Sequence, residues 1–266
     1  MSSADAVLAL VRWQNALIAV AGVLLGAWWA GWGAWHPVLA AALAAIAFTA
    51  AANAWNDVAD QDIDRIAHPD RPLPSGAIDV HAARAIAWGA AAIGLVFATI
   101  ARPVLGLVSI GVLVAMWGYS PWFKRHGFVG NIAVAILASF PFLYGAWAVG
   151  RPHAGVLLVA VAAPLHLARE LAKDIDDAEG DALARRTVAV VNPAAARIFL
   201  VGALILFVAV LAPLVAGRPR FAVVLVPALV LCALAARAAL RGRRGAPTLF
   251  KLAMLCAMLA FAAVRV

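Results

Sequence analysis

Residues 36–64 read HPVLAAALAAIAFTAAANAWNDVADQDID. The stretch holds no Asp, Glu, Lys or Arg as far as Trp55, and then closes on Asn56, Asp57, Asp60, Asp62 and Asp64. An apolar run of this kind suits hydrocarbon, where a spanning helix needs roughly 20 residues. A carboxylate at the centre of such a helix costs about 2.5–3.5 kcal/mol on insertion scales. Four of them at one helix end therefore call for a compensating charge, and a cation supplies it.

The rest of the chain belongs to the same solvent. Its 266 residues are 66% hydrophobic, with a mean hydropathy of +0.96, which excludes an ordinary water-soluble domain. Apolar runs lie near 8–31, 38–58, 81–100, 104–120, 129–149, 154–173, 194–216, 220–240 and 248–264. They predict an all-α polytopic bundle of nine transmembrane helices in one integral membrane domain spanning 1–266. The run behind Arg12 imitates a signal peptide but extends too far, and more spans follow, so it reads as the first membrane helix. Gly22 and Gly26 stand at GxxxG spacing, which permits close helix contact. Cys232 and Cys256 lie in apolar runs without CxxC spacing and read as core fillers. The six histidines form no ligand spacing. Tyr119 and Tyr144 read as interfacial anchors.

A net charge of +8 and a pI near 10.7 do not indicate nucleic acid, because the basic residues recur between apolar runs instead of forming one patch. All but five of the 21 Lys and Arg (Arg102, Arg151, Arg218, Arg220 and Arg265) fall at one set of helix ends. The positive-inside rule places that set, with the N-terminus, in the cytoplasm of a cell membrane protein. Every Asp and Glu falls on the same side. No obligatory protein partner is evident.

The acidic motif occurs twice. Aligning residue 53 with residue 170 sets NAWNDVADQDID over ELAKDIDDAEGD, so that Asp57, Asp60 and Asp64 fall on Asp174, Asp177 and Asp181. At 100° per residue, Asn53, Asp57, Asp60 and Asp64 share one face and Asp62 points away. Glu170, Asp174, Asp177 and Asp181 likewise form a stripe that leaves Glu179 opposite. A one-sided column of oxygen donors, with no His or Cys near, suits a hard divalent cation; Mg²⁺, which shares phosphate oxygens readily, fits best. Asn53, Asp57, Asp60, Asp64, Asp174, Asp177 and Asp181 are thus candidate metal ligands, and the six aspartates candidate catalytic residues. A solvated acidic helix end is the plainer alternative. Its repetition with the same spacing and facing argues against it.

Basic groups accompany the columns. HPDRPLPSG (68–76) brackets Arg71 between prolines and turns at Ser75–Gly76, so Arg71 can grip phosphate bidentately. YSPWFKR (119–125) offers Lys124, Arg12 and Asn15 open the first span, Asn131 sits early in the fifth, and Lys173 adjoins the second column. Arg71, Lys124, Arg12, Asn15, Asn131 and Lys173 are the candidate substrate-binding residues. Each has a plainer reading: a proline-rich turn for Arg71, positive-inside anchoring for Lys124, a helix-to-helix hydrogen bond for Asn131.

Asn56-Asp57, Asp60 and Asp64 followed by RPLPSG resemble the first signature of the UbiA superfamily of intramembrane prenyltransferases. RELAKDIDDAEGD (169–181) resembles its second. YSPWFKR with Gly130-Asn131, and Arg12 with Asn15, are similar too; the likeness runs in register to about residue 181. The resemblance implies nine helices around a central cavity, an active site on the cytoplasmic side with the two columns facing across it, and a prenyl diphosphate bound through Mg²⁺. It also implies transfer of the prenyl group through a carbocation to a lipophilic acceptor. RELAKDIDDAEGD most resembles the motif of archaeal-type digeranylgeranylglyceryl phosphate synthases, which implies a geranylgeranyl donor and geranylgeranylglyceryl phosphate as acceptor. Trp13 departs from those enzymes, which have Pro after the Arg. Aromatic or quinone-precursor prenyltransferases share related motifs and stand as the alternative, and an ion or solute pathway is the alternative outside enzymes.

Overall fold

The structure, a computed structural model, describes residues 3–118, 127–181 and 187–264, with the backbone alone at Ala67, Glu179 and Asp181. Among the described residues it is all-helical: α1 Ser3–Val11, α2 Trp13–Trp29, α3 Trp35–Ala59, α4 Gln61–Ala67, α5 Val80–Ala101, α6 Pro103–Gly118, α7 Phe128–Ala148, α8 Pro152–Asp181, α9 Val188–Val191, α10 Pro193–Val215, α11 Pro219–Leu240 and α12 Ala246–Ala263. Over their described residues, all nine apolar runs fall largely on helix. Seven of these helices are long and apolar enough to cross a membrane, or eight if the bent pair α1 and α2 counts as one span; α6 is a shorter apolar helix over the described residues. The chain divides into two compact units, Met1–Lys124 with Pro141–Gly155, and Arg125–Phe140 with Val156–Val266.

In the first unit α3 is central. It packs against α2 and α5, and more lightly against α1, α6 and α4. Eight alanines of α3, from Ala40 to Ala54, are buried, whereas Leu39 and Ile46 face outward. Small residues inside let backbones approach, and bulky ones meet lipid, as membrane packing favours. α2 and the later part of α7 come closest. A Cβ on Gly26 would fall on the carbonyl of Phe142, and one on Gly145 on the carbonyl of Val23, so the GxxxG spacing serves a backbone contact. Near the acidic end, Trp55, Trp88 and Trp117 join α3, α5 and α6; the rings of Trp55 and Trp117 stack at 5.1 Å.

The first span is not one helix from 8 to 31. It bends by 46° between α1 and α2, at Arg12, which adopts φ 51 and ψ 58. A left-handed conformation costs a non-glycine residue about 1–2 kcal/mol, so a tertiary interaction must hold Arg12 there.

The sparse positive charges are also structural. Arg102 Nε donates to Ala148 O at the end of α7 (2.8 Å), Arg151 to Ala30 O after α2 (2.9 Å), and Arg218 to Leu214 O at the end of α10 (3.0 Å). The last carbonyls of a helix lack intrahelical partners and carry its negative dipole end. Three of the five arginines that break the charge asymmetry thus cap helix C-termini.

In the second unit α10, α11 and α12 pack in sequence, with α11 against α12 most extensively. Phe207, Phe221 and Phe250 are fully buried. Asn192 caps α10 by accepting from Ala195 N–H at 3.0 Å.

Candidate active site

In the first unit the acidic column is built by a helix that breaks without losing its register. α3 ends at Ala59 and Asp60 (φ −96, ψ 5) joins it to α4. The backbone hydrogen bonds nevertheless continue, Asp60 N to Asn56 O (2.9 Å), Asp64 N to Asp60 O (2.8 Å) and His68 N to Asp64 O (2.8 Å). Asp57, Asp60 and Asp64 therefore stay on one side and are only 4%, 3% and 1% exposed. The Asp62 side chain is 94% exposed and pairs with Arg65 at 3.4 Å. The facing expected from 100° per residue holds across the break.

Buried carboxylates need partners, and each has one. Arg12 lies 2.5 Å from Asp57, and Arg71 2.6 Å from Asp64. Asn56 Nδ2 donates to Asp60 Oδ2 at 3.1 Å. Asn53 Nδ2 donates to Val11 O at 2.9 Å and ties α3 to the last residue of α1. Arg12 and Arg71, expected to reach for phosphate, thus first serve as the counter-ions of the column. An arginine has five donors, so one ion pair leaves others to present. Asn15 is half-buried in the first turn of α2, its N–H on Arg12 O at 2.8 Å.

The loop after α4 holds Arg71 in place. Ser75 N–H donates to Arg71 O (3.0 Å), Gly76 takes φ 75, and Ile78 N–H donates to Pro72 O (3.0 Å). Leu73 and Ile78 are buried in a cluster with Ala6 and Leu10 of α1, Ala54 of α3, and Ala83 and Ala87 of α5. Rigid turns and an apolar anchor thus carry the guanidinium. Asp79 ends the loop as the N-cap of α5, accepting from Ala82 and His81 N–H, bonds that hold its carboxyl below the usual range. Between α1 and this loop opens a cleft of about 380 Å³, lined by Ala9, Arg12, Asp57, His68, Pro69, Asp70, Arg71 and Pro72. Arg12, Arg71 and Asp57 converge on it.

In the second unit the column lies on the last turns of α8. Asp174 and Asp177 are half-buried, and Asn131 Nδ2 of α7 donates to Asp174 Oδ2 at 3.0 Å. Asn131 thus makes a helix-to-helix bond to a carboxylate, the plainer of its two readings. Its buried Oδ1 has no hydrogen-bond partner among the described residues. Arg169 pairs with Glu170. Lys173 is half-buried. Asp176, between the two column residues, turns elsewhere and accepts the Gly245 N–H at 2.8 Å. Asp181 ends α8, but its side chain, that of Glu179, and Tyr119 and Lys124 lie outside the described residues.

The donors are carboxylate and amide oxygens, the set that suits Mg²⁺. Among the described residues no three His, Cys, Asp or Glu stand ready to hold one ion. Mg²⁺ does not require that; it is bound by one or two carboxylates and completes its shell with water and substrate phosphates. The residues fit such an ion. The sequence reading placed Asn56 in the first signature without giving it a role, although its four-residue spacing to Asp60 was a legible signal, and gave none to Asp176.

Within a bundle of apolar helices, buried carboxylates paired with arginines gather at one helix end beside an open cleft. Residues 16–263 match the model of the UbiA prenyltransferase family, and the chain belongs to that family. It is a prenyltransferase and an integral membrane protein. It is similar to the digeranylgeranylglyceryl phosphate synthase of Methanopyrus kandleri, with 34% identity over 97% of this chain and 98% of that one. Among solved structures it resembles a UbiA homolog from Aeropyrum pernix K1 (TM-score 0.82, 18% identity, 94% and 98% of the two chains). It also resembles a UbiA homolog from Archaeoglobus fulgidus bound to GPP and Mg²⁺ (TM-score 0.68, 20% identity, 98% and 100%). The family is one of enzymes, which answers the ion-pathway alternative.

Proposed function

We propose that this prenyltransferase moves a geranylgeranyl group from its diphosphate to the free glycerol hydroxyl of geranylgeranylglyceryl phosphate, and that it requires Mg²⁺. One observation carries the reading: in a buried file of aspartates, Asp57, Asp60 and Asp64, Arg12 pairs with Asp57 and Arg71 with Asp64, and Arg12, Arg71 and Asp57 line an open cleft. The acceptor is proposed from the near full-length likeness to a synthase of that name.

Asp57, Asp60 and Asp64, with Asn53, and Asp174, Asp177 and Asp181 are the residues proposed to hold the metal. When bound, Mg²⁺ neutralises charge on the departing diphosphate. Arg12, Arg71, Lys124 and Lys173 bind phosphate oxygens and favour the leaving group as its charge develops. Asn131 and Asn56 keep Asp174 and Asp60 oriented. Asn15 supports the turn that presents Arg12. As the allylic C–O bond breaks, the acceptor hydroxyl takes the prenyl carbon and loses its proton, while apolar walls exclude competing water. Both motifs belong to one catalytic domain of nine spans around a central cavity, with the N-terminus and motif loops cytoplasmic.

Purified protein in nanodiscs, given geranylgeranyl diphosphate, tests the reading. Diphosphate should appear only with both Mg²⁺ and geranylgeranylglyceryl phosphate, and the product should be the diether. Turnover with 4-hydroxybenzoate in place of the lipid phosphate would reassign the acceptor to the aromatic class. Equal release in EDTA would reject the metal.

A further inference from the structure

RELAKDIDDAEGD carries three aspartates within four residues, Asp174, Asp176 and Asp177, and they do not point the same way. Asp176 is offset by about 100° from Asp177 and about 200° from Asp174 around α8. Its Oδ2 accepts the backbone N–H of Gly245 at 2.8 Å. Gly245 is the N-cap of α12, at φ 96, and closes the exposed turn RGRRG, residues 241–245. Leu249 N–H in turn donates to Gly245 O at 3.3 Å. Arg244 lies within electrostatic reach of Asp176. The end of α8 is therefore tethered on two flanks: Asn131 of α7 holds Asp174, and Gly245 of α12 holds Asp176.

We propose that Asp176 is a positioning residue for the second acidic motif, which ties α8 to the start of α12 and so sets the direction in which Asp174 and Asp177 face. It takes no metal. This gives the C-terminal helices, which carry none of the recognised motifs, a part in the reaction. The inference rests on the metal-binding role proposed for Asp174 and Asp177, but the tether is measurable without turnover.

The experiment compares Asp176→Ala, Asp176→Asn and Asp177→Asn in the full-length protein. Melting temperature is read with and without Mg²⁺, and turnover as a function of Mg²⁺. An amide oxygen still accepts from Gly245, so Asp176→Asn should melt within about a degree of the parent, keep at least half its turnover and leave the Mg²⁺ half-saturation within twofold. Asp176→Ala should melt lower by about 2–4 °C, the shift typical of losing one such interaction in a chain of this size, and turn over several-fold more slowly, with the Mg²⁺ half-saturation raised several-fold because the metal ligands lose their orientation. Asp177→Asn should instead raise that half-saturation tenfold or more. A tenfold rise in Asp176→Asn would make Asp176 a metal ligand and overturn the proposal. So would an Asp176→Ala variant indistinguishable from the parent in melting and turnover. If no prenyl transfer occurs in any variant, the proposed function fails, and the melting comparison still decides the tether.

Discussion

The guanidinium of Arg12, at the 46° bend between α1 and α2, stands 2.5 Å from the buried carboxylate of Asp57 on α3. A strained backbone and a buried charge hold each other in place: the ion pair stabilises the left-handed turn, and the turn delivers the cation.

Two substitutions separate these contributions. Arg12→Ala and Arg12→Gly both remove the guanidinium, but glycine adopts φ 51 without penalty. Arg12→Gly should be the more stable of the two by about 1 kcal/mol, measured by thermal or denaturant unfolding in detergent. Both should lose at least tenfold in turnover, on the order of the 1.4 kcal/mol expected of a phosphate-binding contact. Equal stabilities would mean the bend relaxes once the pair is gone.

Asp62 provides the test of facing. Asp57→Ala, Asp60→Ala and Asp64→Ala should each reduce turnover on the order of 10²–10³-fold, the usual effect of removing a group that supports developing charge. Asp62→Ala should remain within about twofold, because its side chain is 94% exposed and its ion pair with Arg65 is a surface contact, of a kind worth about 0–1 kcal/mol. Steady-state assays at saturating Mg²⁺ give the comparison; similar losses at Asp62 and Asp57 would refute the one-sided column.

The arginine caps predict a purely structural phenotype. Arg102→Met and Arg151→Met keep an unbranched apolar stem and remove the donor to Ala148 O and Ala30 O. Each should cost about 1 kcal/mol of stability, seen as a lower melting temperature. Turnover per folded molecule should stay unchanged at permissive temperature.

Asp79 predicts a pH dependence. Its carboxyl is held below the usual range by the N–H groups of Ala82 and His81. A depressed folded value means the cap stabilises fully above the carboxylate's unfolded value and is lost as pH falls through the folded one. Asp79→Ala should therefore melt below the parent at pH 7, and the gap should close as pH drops below about 4, the ordinary Asp range. A gap that did not narrow at all as pH fell below about 4 would show that ionisation of Asp79 is irrelevant to the cap.

Hydropathy made the helices legible because each run is long and continuous. The same continuity concealed the bend at Arg12, which arises from an ion pair with a residue forty-five positions away. The facing of Asp57, Asp60, Asp64 and Asp62 was legible because helical register survives the break at Asp60. The pairing of Arg12 and Arg71 with those aspartates was not, since a basic residue beside an acidic motif suits a phosphate and a carboxylate equally well. Asn131 was ambiguous for the same kind of reason: an amide suits either a substrate or a neighbouring helix, and only the position of Asp174 decides. The separate task of Asp176 depends on a glycine in a turn that no periodicity marks.

The alanine-filled interior of α3 turns the usual rule of evolutionary drift around. In water-soluble proteins large core residues are the constrained ones and surface positions wander. Along α3, Leu39 and Ile46 face outward and should accept any aliphatic replacement, while adding two methyl groups at Ala44 or Ala51, both fully enclosed, would wedge neighbouring helices apart. Homologues should vary in bulk on the outside of this helix and hardly at all within.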